Sequence, residues 1–139
     1  MISFNYETQF KLTNEAQLSV WIKTIIASEN CKVGEINYIF CSDDYLHELN
    51  LKYLNHDTLT DIISFDYCVG KELHGDIYIS IDRVEENAEE FKVTFTEELH
   101  RVIIHGILHF CGYKDKSEED TQLMRSKENE ALKVLSIII

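Results

Sequence analysis

The chemistry of this chain is concentrated in His105-Gly106-Ile107-Leu108-His109-Phe110-Cys111-Gly112-Tyr113-Lys114-Asp115. His105 and His109 are four residues apart, so on a helix their imidazoles project from one face about a turn apart. That spacing lets two rings share one metal ion. A third donor must come from off the helix. Gly112 can break the helix and send the chain back across the same face, where Asp115 arrives as a carboxylate donor. Two nitrogens and one oxygen, with a fourth position left for water, form the donor pattern of a catalytic zinc site. A metal there lowers the pKa of bound water and polarises a phosphoryl or carbonyl oxygen. The donor set also suits iron, nickel or manganese. A structural reading stands beside this one: two hydrogen-bonded core histidines, with Asp115 as a loop or cap residue. That alternative requires a buried helix to accommodate two polar rings.

Neighbouring residues add less. Cys111, two positions beyond His109, falls on the far side of the helix and is a poor ligand. Glu98 lies two turns before His105 on the same face, too far to share its metal at ~1.5 Å rise per residue, and reads either as a group behind the ligands or, the favoured reading, as a surface acid.

The elements that must position these residues follow from apolar periodicity. A Thr94/Glu97 capping box opens a helix through Leu99, Val102, Ile103, Ile107, Leu108 and Phe110 that is apolar on nearly every side, which predicts a buried central helix closed by Gly112. Thr13 is expected to cap a helix to about Glu29 with Leu18, Trp21, Ile22, Ile25 and Ile26 on one stripe. Ser42 caps a short helix through Tyr45, Leu46, Leu49 and Tyr53, and the polar stretch 55–60 reads as a loop. Asp82 begins a helix through about Phe91, and Ser117 with Asp120 starts a last one through Leu123, Leu132 and Leu135. Strands are expected at Ile2 to Tyr6, as an edge, and at Ile36 to Phe40, Ile62 to Tyr67 and Ile77 to Ile81. Gly70 and His74-Gly75 are expected to frame a turn. The pattern indicates a single α+β domain over residues 1–139, a small mixed sheet packed against helices.

Composition narrows the function. Lys plus Arg total 13 against 25 Asp plus Glu, a net charge of −12, so bulk charge cannot hold nucleic acid and any such partner needs a local patch. No apolar run reaches the ~20 residues of a membrane span, and the N-terminus lacks the basic start and apolar core of a signal peptide. Cys31, Cys41, Cys68 and Cys111 are scattered, without a C-x-x-C, and are expected as reduced, mostly buried thiols in a cytoplasmic protein.

Three segments resemble the YbeY family of bacterial metal-dependent endoribonucleases. The family signature HGxLHLxGYDH reads HGILHFCGYKD over residues 105–115. A segment of the type N-x-x-Y-(six residues)-TDVLSF reads NLKYLNHDTLTDIISF over residues 50–65, and G-D-I-x-I-S reads GDIYIS over 75–80. The resemblance implies a zincin-like fold and one zinc ion per chain, held by His105, His109 and the residue at the third signature position, Asp115. It also implies cleavage of RNA, particularly the small-subunit ribosomal RNA precursor, in the cytoplasm near ribosomes. Two departures matter. Asp115 replaces the family's third histidine, which alters the charge of the site and the acidity of its water. Leu54 stands where many members carry an Arg and cannot bind phosphate, so no catalytic residue is assigned. Lys52, Arg101, Lys114 and Lys116 are candidate phosphate contacts or plain surface charges, and His56 and Asp57 candidate cleft residues or turn polarity. Asp61 and Ser64 match family positions without an assignable role, Asp61 being expected to fix the loop or strand start.

The leading expectation is a zinc-dependent endoribonuclease with RNA as substrate. The alternatives are a non-catalytic ribosome-assembly factor, which the acidic composition and Leu54 favour, and a metallopeptidase. The pattern H-x-x-x-H-x-x-G-x-x-D is similar to that of metzincin proteases, but those carry a Glu directly after the first His, where this chain has Gly106.

Overall fold

The computed structural model describes residues 1–55 and 60–139. The chain runs β1 (Ile2–Tyr6), α1 (Glu15–Ser28), β2 (Lys32–Cys41), α2 (Asp43–Leu54), β3 (Ile62–Asp66), β4 (Glu72–Ser80), α3 (Ile81–Phe91), α4 (Phe95–Phe110) and α5 (Glu118–Ile138). The architecture is α+β, with a four-stranded mixed sheet in the order β1-β2-β4-β3. β1 and β4 flank β2 in parallel, while β3 pairs antiparallel with β4 and forms the second edge.

Alternation along the strands sorts side chains onto two faces. Ile36, Tyr38 and Phe40 of β2 and Leu73, Ile77 and Ile79 of β4 enter the main core, with α1, α4 and α5 packed on that face. Cys41 and Ile63 point the other way and form a smaller cluster with Leu46 of α2, against which Phe65 and Tyr78 pack. The α1 stripe Leu18, Trp21, Ile22, Ile25 and Ile26 is buried as expected. Trp21 Nε1 donates to Ala131 O at 2.8 Å, tying α1 to α5.

α4 is the central helix, and ten of its sixteen residues are buried. Thr94 caps it, its hydroxyl accepting from Glu97 N at 3.1 Å. Gly106 lets the helix lie close on the sheet, since a Cβ there would stand 3.0 Å from Ile77 Cδ1 and 3.2 Å from Ile62 Cδ1. Tyr38 of β2 adds a polar tie beneath, its hydroxyl donating to Ile103 O at 2.8 Å.

Several expectations are corrected. His74 and Gly75 do not frame a turn but lie inside β4. Gly75 is needed there because a Cβ would come within 2.4 Å of Phe65 O and 2.5 Å of the Phe110 ring. The glycine therefore marks a crossing of strand and helix rather than a reversal. β2 and β4 are also longer than their apolar centres suggest, because polar residues at their starts pair across the sheet. α1 starts after Asn14 rather than Thr13, without a side-chain cap bond. The last helix forms through Leu123, Leu132 and Leu135 as expected; its buried stripe is Met124, Glu128, Ala131 and Leu135, with Leu123 exposed. All four cysteines are free thiols, but only Cys41 is buried and the other three are partly exposed.

Candidate metal centre

The end of α4 turns by the mechanism its sequence predicts. Gly112 takes φ +110°, Gly112 N donates to His109 O at 3.0 Å, and Tyr113 N donates to Leu108 O at 3.0 Å. This Schellman closure satisfies the last carbonyls and reverses the chain over the helix face that carries the histidines. Thr121, in the first turn of α5, then donates its hydroxyl to Asp115 O at 3.2 Å, fixing the backbone of Asp115. The Ser117 hydroxyl starts α5 by accepting from Asp120 N at 3.0 Å.

The two imidazoles and the carboxylate converge. Asp115 Oδ2 lies 3.2 Å from His109 Nε2 and 3.4 Å from His105 Nε2. One donor atom from each of the three residues lies within 4.8 Å of the others, the only such group of three among the described residues. In a tetrahedral zinc site, donors at about 2.0–2.2 Å from the ion stand about 3.3–3.5 Å apart, so the carboxylate sits near ligand spacing from both rings. The side chains remain partly open to solvent, His105 at 21%, His109 at 29% and Asp115 at 44% exposure. The donor set, the spacing and the access all fit a divalent cation.

Both rings are oriented from behind. His105 Nδ1 donates to Glu128 Oε2 at 2.6 Å, and His109 Nδ1 donates to Tyr113 O at 2.9 Å. A carboxylate and a carbonyl only accept, so each ring donates from Nδ1, and this anchoring turns both Nε2 atoms toward Asp115 and the centre. Glu128 is 4% exposed and also accepts from Arg101 Nη1 at 2.9 Å. Burial disfavours charge on both partners, but the contact between them prevails. His105 is held above the usual histidine pKa and Glu128 below the usual carboxylate range, with Arg101 adding to the latter. The Tyr113 end is braced separately, its hydroxyl donating to Glu29 Oε1 at 2.7 Å.

A cavity of about 350 Å³ opens beside the triad, with His105 and Asp115 in its wall. Glu98 lines it and is 5% exposed, which corrects its expected surface position. Asp61 faces the same cavity, so its place is in the site wall as well as at the start of β3, where its carbonyl accepts from Ser80 N at 2.9 Å. Burial raises the pKa of both carboxyls, and each is further raised by a nearby acid, Glu98 by Asp61 and Asp61 by Glu128. Arg101 is not a free phosphate contact, because Glu128 and Asn129 take its two terminal nitrogens. Lys52, Lys114 and Lys116 are exposed, as is Leu54. Cys111 caps α4 away from the triad, and Ser64 lies within β3 opposite Ile77. His56 and Asp57 fall outside the described residues.

Sequence reasoning missed Glu128. A signal existed: Met124, Glu128, Ala131 and Leu135 recur at steps of four, three and four, so an acid interrupts an apolar helical stripe. A buried acid needs a charged partner, and two basic groups of α4 supply it.

Comparison with known proteins gives a consistent picture. The family model described as "Endoribonuclease YbeY" matches residues 3–136. A protein of that name from Flavobacterium johnsoniae is 61% identical over 137 residues, covering 99% of each chain. One from Flavobacterium psychrophilum is 64% identical over 137 residues, covering 99% of this chain and 98% of its own. Among solved structures, a Thermotoga maritima protein determined in solution superposes with a TM-score of 0.69 at 31% identity, over 97% of this chain and 89% of that one.

Proposed function

The chain belongs to the YbeY endoribonuclease family, and from that premise we propose that residues 1–139 act as one metal-dependent domain that cleaves phosphodiester bonds in single-stranded RNA. In this reading His105, His109 and Asp115 hold one zinc ion. The substrate is the small-subunit ribosomal RNA precursor, met in the cytoplasm on or near the ribosome. The observation that carries the proposal is the convergence of two Nδ1-anchored imidazoles on one carboxylate oxygen, at 3.2 and 3.4 Å, in the wall of an open cavity.

When bound, the cation supplies Lewis-acid polarisation of a phosphoryl oxygen and acidifies water for attack or proton transfer. The chain's own part is to hold that charge in place. Glu128 and the Tyr113 carbonyl fix the rings and their tautomers. Arg101 neutralises the second oxygen of Glu128, so His105 does not face an unpaired buried acid. Asp115 in place of a third histidine adds a negative charge to the donor set, which lowers the electrophilicity of the cation and raises the pKa of its water.

The test is metal content together with cleavage of a single-stranded RNA by the native protein and by His109→Ala. Bound zinc and cleavage in the native protein, both lost in the variant, support the reading. Equal cleavage by the two, with no bound metal, overturns it. The net charge of −12 and the exposed Leu54 favour a second reading, a non-catalytic assembly factor that docks on a basic ribosomal protein. Cleavage that survives extensive purification and disappears with the site variant excludes that alternative. Peptide hydrolysis is disfavoured because the position after His105 is a glycine pressed against Ile77 and Ile62.

A further inference from the structure

We propose that the cavity beside the triad is a binding site for one ribonucleoside unit, with Phe91 stacking on its base and Arg125 pairing with its phosphate. The substrate class rests on the RNA reading above; the assignment of these two residues does not follow from the family motifs, which include neither.

Phe91 ends α3 at the cavity rim with 54% of its surface exposed. Among the described residues it stacks on no other ring, so its face is available. Every nucleobase has a π-face, and an exposed ring beside a groove is the usual platform for an unpaired base. Arg125, on α5, lines the same cavity and is 56% exposed. It comes no nearer to Glu128 Oε1 than 3.8 Å, and that oxygen already accepts from Arg101 at 2.9 Å. Its guanidinium donors are therefore left for an incoming anion, unlike those of Arg101.

The remaining lining fixes the orientation. Asp61 and Glu98 form an acidic wall. Carboxyl oxygens repel phosphate but accept from a 2′-hydroxyl or a base N–H. The sugar and base edge therefore face the wall, while the phosphate turns toward Arg125 and the triad. A ribonucleoside meets all three demands at once: a flat apolar face, hydrogen-bond donors on sugar and base, and an anion at one end.

The probe is adenosine 5′-monophosphate, which holds base, ribose and phosphate but no phosphodiester to cleave. Ribose 5-phosphate serves as the baseless control. Affinities are read by NMR titration of the purified full chain. Phe91→Ala is expected to weaken the mononucleotide about tenfold, from the typical worth of one base–aromatic stack, and to leave ribose 5-phosphate unchanged. Phe91→Trp is expected to retain the affinity. Arg125→Ala is expected to weaken both ligands. With RNA as substrate, Phe91→Ala should raise KM with kcat retained, the signature of lost uniform binding. Both positions are exposed, and circular dichroism verifies that the variants fold.

Mononucleotide affinity within twofold of wild type in folded Phe91→Ala overturns the proposal, as does failure of the wild-type protein to bind the mononucleotide. If RNA cleavage and its metal dependence persist in that case, only the nucleoside site is wrong. If the expected pattern of affinities appears in a protein that neither binds zinc nor cleaves RNA, the nucleoside site stands and the nuclease reading fails.

Discussion

Glu128→Gln separates the orienting role of the α5 carboxylate from its role as a packed core residue. Glu128 accepts from His105 Nδ1 at 2.6 Å through one oxygen and from Arg101 Nη1 at 2.9 Å through the other. Glutamine fills the same space but offers one acceptor and one NH₂ group. Its nitrogen must then face either the His105 proton or the Arg101 guanidinium, donor against donor. One charge-assisted bond is lost, which costs about 1.5–3 kcal/mol. His105 and Arg101 retain side-chain exposures of 21% and 17%, so water partly compensates and the lower end applies, about 1.5 kcal/mol. If the triad holds zinc as proposed, zinc affinity should fall about tenfold, the lower end of the range for losing a group that orients a metal-bound histidine, because His109 and Asp115 keep their own supports. Competition against a chromogenic chelator at fixed pH measures the affinity, and urea denaturation measures the stability. Arg101→Gln provides the contrast, since it strips the same carboxylate but leaves the His105 bond; stability should fall with little change in zinc affinity. A Glu128→Gln protein that loses stability yet binds zinc within twofold of wild type would refute the orienting role.

Two further expectations concern the fold that carries the site. Gly75→Ala places a Cβ 2.4 Å from Phe65 O and 2.5 Å from the Phe110 ring. Because backbone on one side and a helix anchor on the other both resist, the cost should be about 3 kcal/mol, the upper part of the overpacking range, read as a lowered urea midpoint; an unchanged midpoint sinks the argument. His100 is 7% exposed against Trp21, and burial lowers its pKa from 6.5. The fold favours the neutral ring, so this contribution is fully present above pH 6.5 and is lost as pH falls below it, where the unfolded chain takes up the proton first. His100→Leu should therefore flatten the decline in stability from pH 7 to pH 5, and an unaltered slope in denaturation across that range would show that the ring accepts its proton without penalty.

The parts of this molecule legible from sequence are those encoded by local contacts. The α1 stripe, the Thr94, Ser42 and Ser117 caps and the Gly112 closure each involve residues a few positions apart, so spacing alone specifies them. The triad belongs to the same class, since Asp115 reaches the two rings through a six-residue turn whose geometry Gly112 sets. Features built across the chain were not legible. Gly75 looks like a turn residue until Phe110, from another element, is laid over it. Glu98 looks like a surface acid until α3 and α5 close the cavity around it.

Glu128 shows why the boundary falls there. Its partners, His105 and Arg101, are 23 and 27 positions away, and no local rule ties a glutamate on one helix to a histidine on another. Yet the pairing is a consequence of composition once α4 is buried. A helix that carries two basic groups into a core must meet an acid, and the helix packed against it is the nearest place to supply one. The same logic resolves the apparent conflict between a chain of net charge −12 and a polyanionic substrate. Two acids at the triad are offset in place: Glu128 by Arg101, and Asp115, in the proposed holo state, by the cation it helps to hold, while Asp61 and Glu98 keep an acidic wall along the cavity. A phosphate entering the cavity is then drawn by the metal and Arg125 and turned away from Asp61 and Glu98. Long-range steering toward RNA is correspondingly weak, so a docking partner that brings the substrate to the site would add more to the rate than any single surface lysine.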